Sequence, residues 1–415
     1  MSDVNLEHSK TKKTNTLFLK RLIPPKIYWW LFFGPWTWLF WTLSWVIPKE
    51  KNLYIFGSNE GKYFSDNSRA LFEHIKTNEP SLKAIWFTNN DNVFDEIESR
   101  FPGSVVRSPS IRASFLYLRA EQAIISFGFQ DLCKMPWIPS IEVNQLWHGI
   151  PIKKIGLLRD STKTKSDYGP TWPIFTKWMN NVDRFFVASE YEKRAHIQAF
   201  GIPKDRFILS GNPRNDRLYR IRKEDRKPEN VILYAPTFRS RHHSGQNSEY
   251  VLIHPDLDEK IMHDFLVQNN ARLIVRPHWI EGKRNFNSNR IDCLTHDDEP
   301  DLHQIFTESD ILITDYSSAF IDWLILDRPL IFTPYDLRTY QHENGFLEDY
   351  RDLVPQPICM DADEILVEIQ RNILDKNRYQ ENRKRAANRY LGDGSFGICE
   401  RITNIIKKQD RPVKP

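Results

Sequence analysis

Cysteine is scarce and scattered. Cys133, Cys293, Cys359 and Cys399 form no Cys-x-x-Cys pair and no Cys/His ligand spacing. That excludes a structural zinc site and fits reduced thiols in a cytoplasmic protein. No Gly-rich loop ends in a Walker lysine, so the chain is not a P-loop NTPase. No internal repeat and no low-complexity tract occurs. No long basic stripe lies beyond the first residues, and the net charge is only +4 over 415 residues. Nucleic acid is therefore not an expected partner. The length suits two domains, and 27% charged residues suit a mostly soluble chain.

What is abundant is tryptophan, and its placement matters. Six of the thirteen fall in residues 27–47, IYWWLFFGPWTWLFWTLSWVI, a run of 21 residues without a charge. It has no small-residue cleavage site, so it does not read as a signal peptide. Trp favours the headgroup boundary, and Gly34-Pro35 interrupts a helix near its middle. Lys10, Lys12, Lys13, Lys20, Arg21 and Lys26 precede the run, and Lys49 and Lys51 follow it. A single span with those cations inside would put the bulk of the chain outside, away from any nucleotide-activated donor. The expected structure is instead a Pro-kinked interfacial anchor on anionic lipid at the cytoplasmic face of the membrane. A single span and a buried core helix are the alternatives.

After Pro48, short apolar runs alternate with helix-length stretches such as SRALFEHIK (68–76). The runs lie at 53–57, 84–88, 123–127 and 184–188, then at 231–235, 272–276, 311–314 and 329–333. This alternation predicts an α/β fold with parallel sheets. The charged, Pro-containing stretch 221–230 reads as a linker. The expected organisation is an anchoring segment (1–50), two Rossmann-like domains facing a cleft (51–222 and 223–360), and a helical tail (361–415). Ligands would bind at the carboxyl ends of the strands.

The chemically telling residues stand at those ends. His148, followed by Gly149-Ile150-Pro151-Ile152-Lys153-Lys154, is an imidazole at a strand tip, suited to a general base for an anionic substrate. Gly211-Asn212-Pro213-Arg214-Asn215-Asp216 is a turn that displays one arginine. Tyr234-Ala235-Pro236-Thr237-Phe238-Arg239 ends another strand. Arg276-Pro277-His278 places two donors where a diphosphate would suit them. Ile311-Leu312-Ile313-Thr314-Asp315-Tyr316-Ser317-Ser318 runs from a buried strand into a helix-like AFIDWLILD. Ser317 or Ser318 is a natural N-cap, with the helix start behind it as an anion site. Singly, each has an ordinary structural explanation: a core histidine, a solvated arginine, a capped turn.

Together, WHGIPIKKIG (147–156), GNPRND (211–216), ILYAPTFR (232–239), RPH (276–278) and LITDYSSAFIDWLILDRPLIFTPYDL (312–337) resemble the CDP-glycerol glycerophosphotransferase family, the teichoic-acid primases and polymerases. The blocks keep the family's order across roughly 140–360. The resemblance implies a glycosyltransferase-B-like fold, peripheral membrane association, and transfer of glycerol-phosphate with release of CMP. Carried over residue by residue, it implies His148 as general base, with His278 as a second catalytic residue. Gly149, Pro151, Arg214, Thr237, Phe238, Arg276, Ser317, Ser318 and Asp322 would surround CDP-glycerol, with Asp322 meeting a hydroxyl. The acceptor would be a polyol-phosphate, lipid-linked or oligosaccharide hydroxyl, in teichoic-acid or capsule synthesis. No carboxylate cluster suggests a metal and no cofactor is expected, although Mg2+ could accompany the diphosphate.

Some residues depart from the family pattern. Ile150 stands where Thr is usual, Pro355-Gln356-Pro357 where Pro-Gly-Pro is usual, and Pro277 and Trp279 alter the Arg-x-His-Pro pattern. They bear on which alditol is transferred. The competing readings are a CDP-ribitol ribitolphosphotransferase, a nucleotide-sugar glycosyltransferase, and a non-catalytic membrane scaffold.

Overall fold

The computed structural model describes residues 38–133, 135, 138, 140–159, 181–221, 230–237, 252–278, 282–355 and 358–408. The linker core 222–229, most of the Trp-rich run, and Phe238 and Arg239 lie outside the described residues. The chain divides into two compact units. One comprises residues 1–63, 81–123 and 129–142; the other comprises 64–80, 124–128 and 143–415.

The first unit is built on β1 (Glu50–Phe56), β2 (Lys83–Thr88) and β3 (Val105–Arg107), with most of β4 (Ala120–Ile125). β1, β2 and β3 pair in parallel. Two helices, Asp91–Arg100 and Ile111–Arg119, begin at side-chain caps from Asn90 and Ser110. A further helix covers 38–46. It sets Phe40 against Tyr117 and leaves Trp38, Trp45 and Val46 exposed.

The second unit holds β5 (Glu142–Gln145) from Val143 on, then β6 (Arg184–Val187) and β7 (Phe207–Leu209), again parallel. It also holds a five-stranded parallel sheet of β8 (Asn230–Tyr234), β9 (Ala271–Val275), β10 (Ile291–Cys293), β11 (Ile311–Thr314) and β12 (Leu330–Phe332). The order in that sheet is β10-β9-β8-β11-β12. Strand order therefore reverses between β8 and β11, the kind of switch point where α/β sheets open for a ligand. β11 is buried along its whole length, as a central parallel strand must be. Ile150 and Ile152 join Tyr316, Phe320, Trp323 and Tyr390 in one apolar core.

After 361 the chain is helical: Ala362–Leu374, Gln380–Leu391 and Ile398–Lys407. The last presents Ile398, Ile402 and Ile406 on one buried face. Asp216, from the GNPRND turn, receives the N–H groups of Gly397, Ile398 and Cys399 at 2.8 Å each. That turn thus anchors the start of the final helix. One expected element is shorter than its sequence suggested. The helix after Ser318 spans only Ala319–Trp323 and tightens into a 3-10 turn, Leu324–Leu326. Asp327 then ends it in a left-handed conformation.

Candidate active site

His148 stands one residue past a strained corner. Trp147 has φ 54° and Gly149 has φ 150°, both outside the usual range for side-chain-bearing residues. The imidazole lies between two rings. Phe127 is stacked on it at 4.1 Å between centroids, and Trp147 is tilted against it at 4.5 Å. Nδ1 is 3.3 Å from the Ser126 carbonyl. A proton on Nδ1 donates to that oxygen, which leaves Nε2 as the acceptor. Burial lowers the His148 pKa; Asp66 and the Ser126 contact pull it back up, and Arg214 adds to the lowering. The ring is therefore neutral at physiological pH, the form a base requires.

Arg214 sits beside it, but its guanidinium is largely engaged within the protein. Nη1 donates to Asp66 Oδ1 at 2.7 Å and to the His148 carbonyl at 2.8 Å. Nη2 donates to Asp322 Oδ2 at 2.7 Å. Asp322 is 4% exposed and also contacts His303 Nε2 at 3.2 Å. Burial opposes its ionisation, but Arg214 and His303 outweigh burial and hold its pKa at about 2. The sequence reading aimed Arg214 at phosphate and Asp322 at a hydroxyl. In the structure they face each other, one guanidinium between two carboxylates. What Arg214 still offers lies at Nη2: a Cβ on Gly149 would stand 3.4 Å from that atom and 3.4 Å from Ser318 Oγ. The bare backbone of Gly149 keeps that spot open.

Of the two serines expected at the helix start, it is Ser317 whose hydroxyl takes the first helical N–H. Ser318 makes no side-chain cap, and Ser317 Oγ instead accepts the Ala319 N–H at 3.3 Å. Both serines are half-buried. Their loop is fixed from behind. Asp315 accepts the N–H of Thr237 at 2.8 Å and that of Tyr316, and its carbonyl accepts from Tyr350. Thr237 and the serines thus hang on one carboxylate at the β8/β11 switch point.

Arg276 and His278 belong to a second cluster. Arg276 turns its Nη1 to the carbonyls of Leu294 and Thr295, and Nη2 reaches His296 at 3.4 Å. His278 is half-buried; burial first, then Lys153 and His296, bring its pKa down to about 4. Lys153, five residues past His148, donates to Tyr340 at 3.0 Å. Lys153 thus disfavours the protonated form of His278, and the two side chains bring positive potential to one place. Pro151 is buried, and so is Ile150, at 2% exposure. Among the described residues, no group of three or more His, Cys, Asp or Glu is placed to hold a metal ion.

Sequence reasoning missed Asp66, Lys153's place beside His278, His296 and His303. For Asp66 no signal was available: it opens an ordinary amphipathic helix, Asp66–Asn78, remote in sequence from every motif.

Comparison with known proteins bears on this geometry. A family model described as CDP-glycerol:poly(glycerophosphate) glycerophosphotransferase matches residues 39–408. The teichoic acid poly(glycerol phosphate) polymerase of Bacillus subtilis is 28% identical over 340 residues, covering 77% of this chain and 44% of that protein. The teichoic acid glycerol-phosphate transferase of Staphylococcus aureus is 27% identical over 382 residues, covering 85% and 93%. The chain thus spans less than half of the first relative and nearly all of the second. The solved wall teichoic acid polymerase TagF shares the fold, with a TM-score of 0.70 at 22% identity over 87% of this chain and 89% of that one.

Proposed function

Because the chain belongs to the CDP-glycerol:poly(glycerophosphate) glycerophosphotransferase family, we propose that it moves glycerol-phosphate from CDP-glycerol to a hydroxyl of a polyol-phosphate acceptor and releases CMP. The observation that carries this reading is His148. It is a neutral imidazole with Nδ1 directed at a carbonyl, standing beside the open backbone of Gly149 and Ser318 Oγ. The acceptor O–H gives its proton to His148 Nε2. The oxygen forms a bond to the phosphorus that bears glycerol, and the bridging P–O bond breaks toward CMP, which leaves with the electron pair. Charge on the diphosphate is met by Lys153 and the remaining Arg214 N–H, while neutral His278 and the serine hydroxyls donate hydrogen bonds. No covalent intermediate on the protein is needed; positioning and fixed charge do the work.

In this reading the alditol is glycerol. Ile150, the departure that raised ribitol, faces the apolar core, so it weighs little against glycerol. The polymer is teichoic-acid-like, and a capsular acceptor is the variant form of the same chemistry.

The reading also places the protein on the cytoplasmic face of the cell membrane. Its support is the helix 38–46, whose Trp38 and Trp45 are each 67% exposed, beside the helix Ile111–Arg119 with Ile111 at 92%. Such a Trp-rich apolar surface suits the headgroup region. No helix of the described residues is long and apolar enough to cross a membrane.

The test is turnover. Purified protein with CDP-glycerol and a polyol-phosphate or lipid-linked acceptor should release CMP and lengthen the acceptor. Release only from CDP-ribitol, or turnover only of a nucleotide sugar, would replace this reading by one of its competitors.

A further inference from the structure

The helix Asp66–Asn78 begins in an unusual way. Asp66 has φ 66°, a left-handed conformation costly for a residue with a side chain. Three consecutive side chains from this corner act on the surroundings of His148, Asn67 directly and Asp66 and Ser68 through Arg214 and Ser126. Asp66 Oδ1 accepts from Arg214 Nη1 at 2.7 Å. Asn67 is fully buried, donates to the carbonyls of Leu146 and Trp147 at 3.2 and 2.8 Å, and accepts the Arg214 N–H at 3.2 Å. Ser68 Oγ meets Ser126 Oγ at 2.8 Å, and the Ser126 carbonyl is the one beside His148 Nδ1. The corner thus holds the backbone on both sides of the imidazole.

We propose that Asp66 is a positioning residue for the transfer reaction: it fixes Arg214 against the His148 carbonyl and supplies the negative charge that stabilises His148 once it has taken the acceptor's proton. This rests on His148 acting as the base. The charged and titratable groups around that ring are few. Asp66 favours the imidazolium and Arg214 opposes it. His196 packs edge to face against Trp147, with ring centroids 4.9 Å apart, and is neutral. Arg214 carries one positive charge against two carboxylates, Asp66 and Asp322, so the pair of carboxylates leaves net negative charge beside the ring. Of the two, Asp66 is the carboxylate whose charge rewards protonation of His148, and the strained corner is what places it there.

The experiment is a pH profile of CMP release for Asp66→Asn. The neutral side chain should lower kcat about 10- to 100-fold, as small displacements of a reacting pair do. It should also move the acid limb of kcat/KM to lower pH, because His148 then loses its favourable neighbour. KM for CDP-glycerol should change much less than kcat. Asp66→Glu keeps the charge and should keep the acid limb in place, even if kcat falls. A lowered kcat with the acid limb unmoved in Asp66→Asn would reduce Asp66 to a structural role and overturn the proposal. So would equal displacement of the limb in both variants, or wild-type kinetics in Asp66→Asn. The underlying reading fails differently, through near-normal CMP release by His148→Ala. An inactive His148→Ala beside an unaffected Asp66→Asn would overturn this inference alone.

Discussion

Arg214 Nη2 and Asp322 Oδ2 are 2.7 Å apart, and neither side chain is more than 18% exposed. A pair this buried holds shape more than it adds net stability, because desolvation offsets much of the attraction. Removing one member is a different matter, since it strands a charge. Asp322→Ala is expected to lower the unfolding free energy by about 3–5 kcal/mol and to abolish most CMP release. Arg214 would keep Asp66 as its one carboxylate partner, and His303 would lose its contact with Asp322. Denaturant titration beside the turnover assay checks this. Wild-type stability in the variant would mean that the pair is not closed in solution.

Gly149 makes a sharper prediction because little else changes there. At φ 150° a side chain is strained, and its Cβ would stand in van der Waals contact with Arg214 Nη2 and Ser318 Oγ, 3.4 Å from each. Gly149→Ala should cost about 1–3 kcal/mol in stability and at least ~10-fold in kcat/KM, by filling the space opposite His148. Unchanged kcat/KM would place the reacting phosphorus elsewhere.

For His148 the sign follows from its environment. Burial lowers its pKa, so the neutral base persists below the ordinary imidazole range, and activity is lost only as pH falls through that lowered value. kcat/KM should therefore hold between pH 7 and ~6.5, the ordinary imidazole pKa, and decline below. His148→Ala should lose about 10²- to 10⁴-fold in rate with its circular dichroism intact. A decline that begins above the ordinary imidazole pKa would contradict the depressed value.

The five motifs could be read because each strand-end cluster is local in sequence. β8, β9, β11 and β12 fall within the apolar runs 231–235, 272–276, 311–314 and 329–333 or a residue from them. β3, β7 and β10 each include an exposed residue within their three, and β5 reads Glu-Val-Asn-Gln, so no continuous apolar run marks them. The roles inside the motifs were harder to see. Asp216 and Asp315 lie inside two of the motifs; one caps the last helix and the other ties two loops together. The carboxylates that take most of Arg214's donors, Asp66 and Asp322, lie 148 and 108 residues away. Only folding brings those carboxylates to it.

The exposed tryptophans give a prediction independent of catalysis. Trp38 and Trp41 pack edge to face, as do Trp41 and Trp45, with Trp38 and Trp45 outermost. Trp38→Ala with Trp45→Ala should reduce sedimentation with vesicles containing anionic lipid, while CMP release with a soluble acceptor stays near wild type. Full binding by the double variant would remove this helix from the membrane surface.

A buried pair, Glu192 and His196, predicts how stability responds to pH. They stand one helical turn apart, both fully buried, with Glu192 Oε2 accepting the Ala188 N–H at 2.7 Å. Burial raises the Glu192 pKa to about 8 and lowers that of His196 to about 3, so both are neutral in the folded protein near pH 7. The signs oppose each other. Unfolded glutamate ionises above its ordinary pKa, so the native state binds more protons there and loses stability as pH rises from ~4.5 toward the folded value. Unfolded histidine protonates below ~6.5, so His196 costs stability as pH falls. Near pH 5–6 the two slopes roughly cancel, and above ~6.5 only the Glu192 slope remains, at most about 1.4 kcal/mol per pH unit. Glu192→Gln keeps the shape and removes that ionisation. Its Tm should therefore fall less than the wild type's between pH 6.5 and 8. Parallel Tm curves for the two proteins would show that Glu192 is already ionised in the fold.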